Sequence, residues 1–339
     1  MSLNIDALPF DPELSQGAHN AVFVCLQVQP EEKVTLITDE ACKEIAASLV
    51  AELNARGCRH CDFVLEELAP RPLVDMPQVI LDDMATSQVS IFAVQAQVNE
   101  LKTRMQMCNV VNQKKLRHAH MVNIEKKIML EGMRADYQKV DELTLRVMSI
   151  VNRARKIHAT TPAGTDITAD LTPTYKWIKT SGIISRDKWG NLPGGETFTS
   201  PLDVNGRFVV DGVVGDYLCA KYGDLALAPL TLTVKDNRLV DARSDNKELE
   251  REFWQYTHRD SNSDRVGEFA IGTNLALSHV VGNILQDEKI PGVHMAFGDP
   301  YGAHTGAEWT STTHIDVVGQ HFDIWADDIQ IMSAGKFLV

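Results

Sequence analysis

The first 150 residues alternate between strand and helix periods, and that alternation restricts the fold more than any other feature. "KVTLITD" (Lys33 to Asp39) reads as a strand ending in an aspartate placed to cap a helix. "EACKEIAASLVAELNARG" follows at helical spacing, with Gly57 as its stop. "CDFVLEEL" reads as a strand, "PQVILDDMATS" as a short helix with Pro77 in its first turn, and "VSIFAVQA" (Val89 to Ala96) as a buried strand. "NELKTRMQMCNVVNQKK" is predicted helical, "LRHAHMVN" (Leu116 to Asn123) extended, and "YQKVDELTLRVMSIVNRARK" a long amphipathic helix. Strands separated by helices of this length imply parallel βαβ units, because a parallel neighbour needs a crossover.

At 339 residues the chain is long for a single core. Its character changes near "KIHATTPAGTDITADLT" (Lys156 to Thr172). Beyond that point short alternating segments rich in Gly, Thr, Asp and Val dominate. "KDNRLV" predicts a hairpin around Asp236-Asn237, and two stretches read as helices: "NKELEREFWQYTHRD" and "TNLALSHVVGNILQDEK". The expected architecture is an N-terminal α/β domain with a mainly parallel sheet (residues 1–155), followed by a mixed, β-rich α+β domain (156–339).

The net charge of −13 disfavours a nucleic-acid partner, since phosphate binding needs a basic footprint. No run of about 18 apolar residues is present, so no membrane span is expected. The opening "MSLNIDALPFDPELS" lacks the basic and apolar regions of a secretory signal. Six scattered cysteines suit a reducing cytoplasm. "CRHC" (Cys58 to Cys61) has no second cysteine pair, and a helix-to-strand connection is expected there. The His118-x-His120 pair has no acidic partner motif nearby and is expected to be structural or at the surface. Neither G-x-G-x-x-G nor a Walker A sequence is found. The methionines at 105, 107, 121, 129 and 133 are expected to pack.

The chemistry gathers in the second half. In a strand, His314 and Asp316 of "STTHIDVVG" share one face, with Ile315 on the other. "PGGETFTSP" presents Glu196 after two glycines, and "GEFAIGTN" places Glu268 among apolar residues, where an unpartnered carboxylate is costly. "PGVHMAFGDPYG" presents His294 in a strand, with Tyr301 seven residues on. Each has a bland reading alone: a turn cap, a solvated acid, a core histidine or a turn aromatic. Together, three carboxylates and two imidazoles match the donors preferred by zinc, cobalt or manganese.

In order along the chain, "GGETFTSP", "NGRFVVDG", "GEFAIGTN", "DEKIPGVHMAFG" and "HIDVVG…FDIWADD" resemble the thermophilic-type metallo-aminopeptidases, the aminopeptidase T and aminopeptidase S group. The resemblance covers residues 190 to 339. It implies two divalent ions held by Glu196, Glu268, His294, His314 and Asp316, with Glu268 shared between them and Tyr301 as a catalytic partner. It further implies a peptide substrate with a free N-terminus and a homodimer. The segment between Tyr301 and His314 is shorter than in those peptidases, and Glu288 is a weaker candidate for a supporting role. A second reading takes His294, His314 and Asp316 as the iron(II) site of a ring-opening dioxygenase of the dihydroxypyridine type.

Overall fold

The computed structural model describes residues 5–186 and 189–339. It comprises two compact units. One runs up to Tyr137 and takes in Gly182–Gly194; the other is Gln138–Ser181 with Gly195–Val339. The sequence reading cuts the chain once, at 155. The units divide earlier, and a short segment returns to the first. The helix Tyr137–Val151 explains the earlier division, because Leu143, Val147 and Val151 on its apolar face belong to the core of the second unit.

Numbering strands along the whole chain, the first unit holds β1 (Lys33–Thr38), β2 (Arg59–Val64), β3 (Val89–Val94), β4 (Arg117–Val122) and the two-residue β8 (Gly190–Asn191). They form one parallel sheet in the order β2-β1-β3-β4-β8. Helices α1 (Lys43–Arg56), α2 (Gln78–Met84) and α3 (Leu101–Lys114) lie between successive strands. Gly57 ends α1 at φ 75°, the left-handed stop that its position predicts. Every residue of β3 is buried, as expected for the interior of a covered parallel sheet. "CDFVLEEL" is only partly strand: β2 ends at Val64, and Leu65–Leu68 forms a helical turn. Beside it Arg71 gathers the carboxylates of Asp39, Glu66 and Glu100.

His118 and His120 are buried on β4. Ser90 Oγ lies 2.8 Å from His118 Nδ1, and the two imidazoles are 3.2 Å apart. Burial holds both well below the usual histidine range, to about 3 for His118. In the C-x-x-C segment Cys58 is buried, with its thiol donating to the Leu53 carbonyl, and His60 pairs with Asp62 at 3.0 Å. None of the six cysteines is in a disulfide. Among the described residues no helix is long and apolar enough to cross a membrane.

The second unit takes all but the first residue of α4 (Tyr137–Val151) and contains two antiparallel sheets. The larger joins β5 (Lys156–Thr160), β6 (Asp166–Asp170), β10 (Asp203–Val210), β11 (Leu230–Lys235), β12 (Arg238–Arg243), β16 (Asp323–Ala326), β17 (Ile329–Ser333) and β18 (Lys336–Phe337) in the order β12-β11-β10-β6-β5-β16-β17-β18. The predicted hairpin joins β11 to β12, with Asp236 and Asn237 both at positive φ. The smaller sheet joins β7 (Ile178–Lys179), β9 (Glu196–Thr199), β13 (Val266–Gly272), β14 (Gly292–Gly298) and β15 (His314–Val318) in the order β15-β14-β13-β9-β7. Helix α5 (Lys247–Tyr256) is capped by the Asn246 side chain. Residues of both sheets share one apolar cluster, to which the smaller sheet gives Phe269, Ile271, Val293, Met295, Phe297, Ile315 and Val317.

One predicted helix is absent. Of "TNLALSHVVGNILQDEK" only Ile284–Asp287 is helical. The buried Asp287 carboxylate accepts the backbone N–H groups of Val281, Gly282 and Asn283, and Gly282 sits at φ 75°. Side-chain bonds to the backbone replace the helical ladder, and the segment becomes a fixed loop.

Candidate metal centre

The period-2 alternation that sends one face of the smaller sheet into the core sends the other toward the site. On β13, Glu268 alternates with Phe269; on β14, His294 alternates with Val293 and Met295; on β15, His314 and Asp316 flank Ile315. The register sets them beside one another. Ala296 is opposite Glu268 on one side and Asp316 on the other, while Gly298 is opposite His314 and Gly272 opposite Glu196. Alanine and glycine at these positions leave the space above the sheet to the polar side chains.

Glu196 opens β9, directly after Gly195. That glycine lies at φ 129° with its α-carbon against Asn274, where a β-carbon would come within 2.7 Å of the Asn274 β-carbon. The close approach is held by Thr273 N–H donating to the Gly195 carbonyl at 2.7 Å and by Gly195 N–H donating to the Thr180 carbonyl at 2.8 Å. Glu196 Oε1 accepts from Thr180 Oγ1 at 2.8 Å and from Lys289 Nζ at 2.7 Å, and its Oε2 lies 3.3 Å from His294 Nε2. Glu268 reaches both imidazoles, 3.5 Å from His294 Nε2 and 3.6 Å from His314 Nε2. His314 Nε2 is also 3.6 Å from Asp316 Oδ1. His314 Nδ1 donates to the Asp299 carbonyl at 2.9 Å, which leaves Nε2 free to face the carboxylates.

All five expected ligands therefore come together. Their donor atoms fall into three overlapping groups, each within 4.8 Å: Glu196–Glu268–His294, Glu268–His314–Asp316 and Glu288–His294–Asp316. Tyr301 sits at the rim with its backbone at φ 50° and its ring 4.4 Å from that of His314. It is 42% exposed, while Glu196, Glu268 and His294 are buried, so the cluster opens on the Tyr301–His314 side. The site also gathers Glu288, for which the sequence offers only a supporting place, together with Thr180 and Lys289, which carry no motif of their own. The run of charges "DEK" just before an apolar strand was the one available signal for Glu288 and Lys289.

The donor set fits divalent cations. Four carboxylates face one ammonium, that of Lys289, and two imidazoles. That shortage of positive charge shifts the proton affinities of the groups. Burial opposes the charged imidazolium, yet the neighbouring carboxylates hold both His294 and His314 up to about 10. Burial, with the charges of Asp316 and Glu196, pushes Glu288 up to about 8 against the pull of Lys289. Burial also raises Glu268. Glu196 is held well below the usual carboxylate range, because Lys289 and His294 outweigh its burial. Asp316 is lowered by His314 in the same way. Although part of the Tyr301 side chain is exposed, its hydroxyl is desolvated and lies among Glu268, Asp316 and Glu288, which push it well above its ordinary value. Protons thus take up charge that the side chains leave unbalanced, and nitrogen and oxygen donors so disposed suit zinc-like or manganese-like ions.

Solved structures that share the fold include two that superpose over nearly the whole chain. AmpT from Thermus thermophilus superposes with a TM-score of 0.72 at 16% identity, covering 98% of this chain and 100% of its own. A 2,5-dihydroxypyridine dioxygenase from Pseudomonas putida superposes at 0.68 and 14% identity, covering 96% and 97%. A search of curated proteins found no match. The sequence model of the thermophilic metalloproteases (M29) matches residues 120–327, a span containing every residue of the cluster. On that match, which takes in well over half of the sequence, the chain belongs to the thermophilic metalloprotease family and is a metal-dependent peptidase.

Proposed function

We propose that the chain is an aminopeptidase that uses two divalent ions, zinc, cobalt or manganese, to hydrolyse the N-terminal residue from peptides. The observation that carries this reading is the placement of Glu268, whose two oxygens face His294 and His314 and which belongs to two donor groups at once. Glu196, Glu268 and His294 would serve one ion, and Glu268, His314 and Asp316 the other. When bound, such ions supply a water acidic enough to lose its proton near neutral pH and polarise the scissile carbonyl. The chain's own residues do the rest. The Asp299 carbonyl keeps His314 in one tautomer and aims its Nε2 inward. The Tyr301 hydroxyl, which holds its proton at neutral pH, stands at the open rim to donate a hydrogen bond to the oxyanion of the attacked carbonyl. The surplus of carboxylates favours a substrate bearing a free α-ammonium group, which selects chain ends over chain interiors.

The dioxygenase reading needs His294, His314 and Asp316 around one iron. In this chain the two imidazoles fall in different donor groups, and the Glu268 carboxylate lies between them, 3.5 Å from His294 and 3.6 Å from His314. The setting that goes with the aminopeptidase reading is a cytoplasmic homodimer, in keeping with six cysteines that form no disulfide.

The test is hydrolysis of a short peptide series, free and N-acetylated, by protein prepared anaerobically without chelator. Cleavage of free peptides only, abolished by chelator and by Glu268→Ala together with a loss of bound metal, is the expected result. A single iron per chain that survives Glu268→Ala, with ring opening of a dihydroxypyridine, would overturn the reading.

A further inference from the structure

A fully buried ammonium does not belong in an ordinary cation site. Lys289 is 1% exposed, and its backbone is fixed on both sides. Its N–H donates to the Gln286 carbonyl at 2.8 Å, and its carbonyl accepts from Asn274 N–H at 3.0 Å. Gly272 of β13 lies so close that a β-carbon there would meet the Ile290 carbonyl oxygen at 2.0 Å. The side chain is thus aimed into the cluster by rigid backbone. Its Nζ donates to Glu196 Oε1 at 2.7 Å and also to Glu288 Oε1. With Thr180 Oγ1 on the same Glu196 oxygen, that atom is fully engaged, and only Oε2 remains for a further partner.

An ammonium and a divalent ion draw on the same carboxylates, and two cations sharing a buried ligand repel each other with little screening. Both partners of Lys289 lie in donor groups on the His294 side, Glu196–Glu268–His294 and Glu288–His294–Asp316. The remaining group, Glu268–His314–Asp316, contains neither.

We propose that Lys289 is a resident cation of the metal centre that makes its two ion positions unequal. Glu268, His314 and Asp316 hold one divalent ion tightly. The His294 side, already served by the ammonium, takes a second ion weakly. The inference rests on the two-ion reading given above, and it makes the second ion a loading step set by the surrounding metal concentration.

Calorimetric titration of the chelator-stripped full chain with manganese, and elemental analysis after desalting, test this on the wild type and on Lys289→Met and Lys289→Gln. The wild type is expected to retain about one ion and to bind a second at least about tenfold more weakly, a gap of about 1.4 kcal/mol. Either variant is expected to tighten the second site by about tenfold or more and to retain close to two ions. Two equal sites in the wild type overturn the proposal, a result that stands even if the variants do not fold. So does an unchanged second site in a variant whose circular dichroism matches the wild type. Unequal sites in a protein that cleaves no free-amine peptide would sink the aminopeptidase reading alone. Equal sites in an active peptidase would sink this inference alone.

Discussion

Ala296 shows how much the site depends on what a residue lacks. It sits between Glu268 and Asp316 in the register, and its methyl group leaves their carboxylates room. Ala296→Leu is expected to push the larger side chain into the cluster, abolish metal retention, and cost about 1–3 kcal/mol from overpacking. Elemental analysis and urea unfolding of the metal-free protein check both halves. At this scale the sequence was informative about donors and silent about their counter-charge. Glu196, Glu268, His294, His314 and Asp316 stood out because acids and imidazoles in apolar strands need a reason to be there. Lys289 did not, because a lysine beside acids reads as solvated, whereas the fold buries it with its ammonium on Glu196 and Glu288.

Two loops set where the donor-bearing strands begin. Gly195 carries the first, and Gly195→Ala places a β-carbon against Asn274 in a left-handed conformation. A loss of about 1–3 kcal/mol is expected, with weakened metal binding because Glu196 begins the next strand. Thermal unfolding and metal titration would show it. Asp260 carries the second, accepting from Thr312 N–H at 2.7 Å, Thr312 Oγ1 at 2.6 Å and Ser311 Oγ at 3.0 Å just ahead of His314. Burial would raise this carboxyl, but those bonds hold it well below its ordinary value. A depressed folded value means that the stabilisation is fully present above the unfolded pKa of about 3.9 and is lost as pH falls through the folded value. Asp260→Asn should therefore lower stability at neutral pH and flatten the acid limb, so that the gap to the wild type closes as pH falls below about 4, as unfolding midpoints across pH would report. Strand and helix identity was legible from period alone across most of the chain. It failed at 273–289, where apolar spacing suits a helix but Asp287 bonds three backbone N–H groups and holds a loop.

Across the whole molecule the two units should respond differently to metal, since every donor lies in the second. An ion at about 1,000 times its dissociation constant stabilises the state that binds it by about 4 kcal/mol. Hydrogen exchange is expected to slow in β9, β13, β14 and β15 on adding manganese and to stay unchanged in β1 and β3. Equal slowing in β1 and β3 would contradict this. The division into a parallel α/β half and a β-rich half was readable because helices separate the early strands and short alternating segments fill the later part. The return of 182–194 was not, because a two-residue strand such as β8 carries no periodic signal. That return has a consequence for how the protein is made. The neighbour that completes the β4 edge is β8, 68 positions after Val122. A ribosome adding about 5–20 residues per second delivers it roughly 3–14 s later. For those seconds a nascent chain carries an open strand edge, the kind that captures other chains, and the cell must shield it until the missing partner emerges.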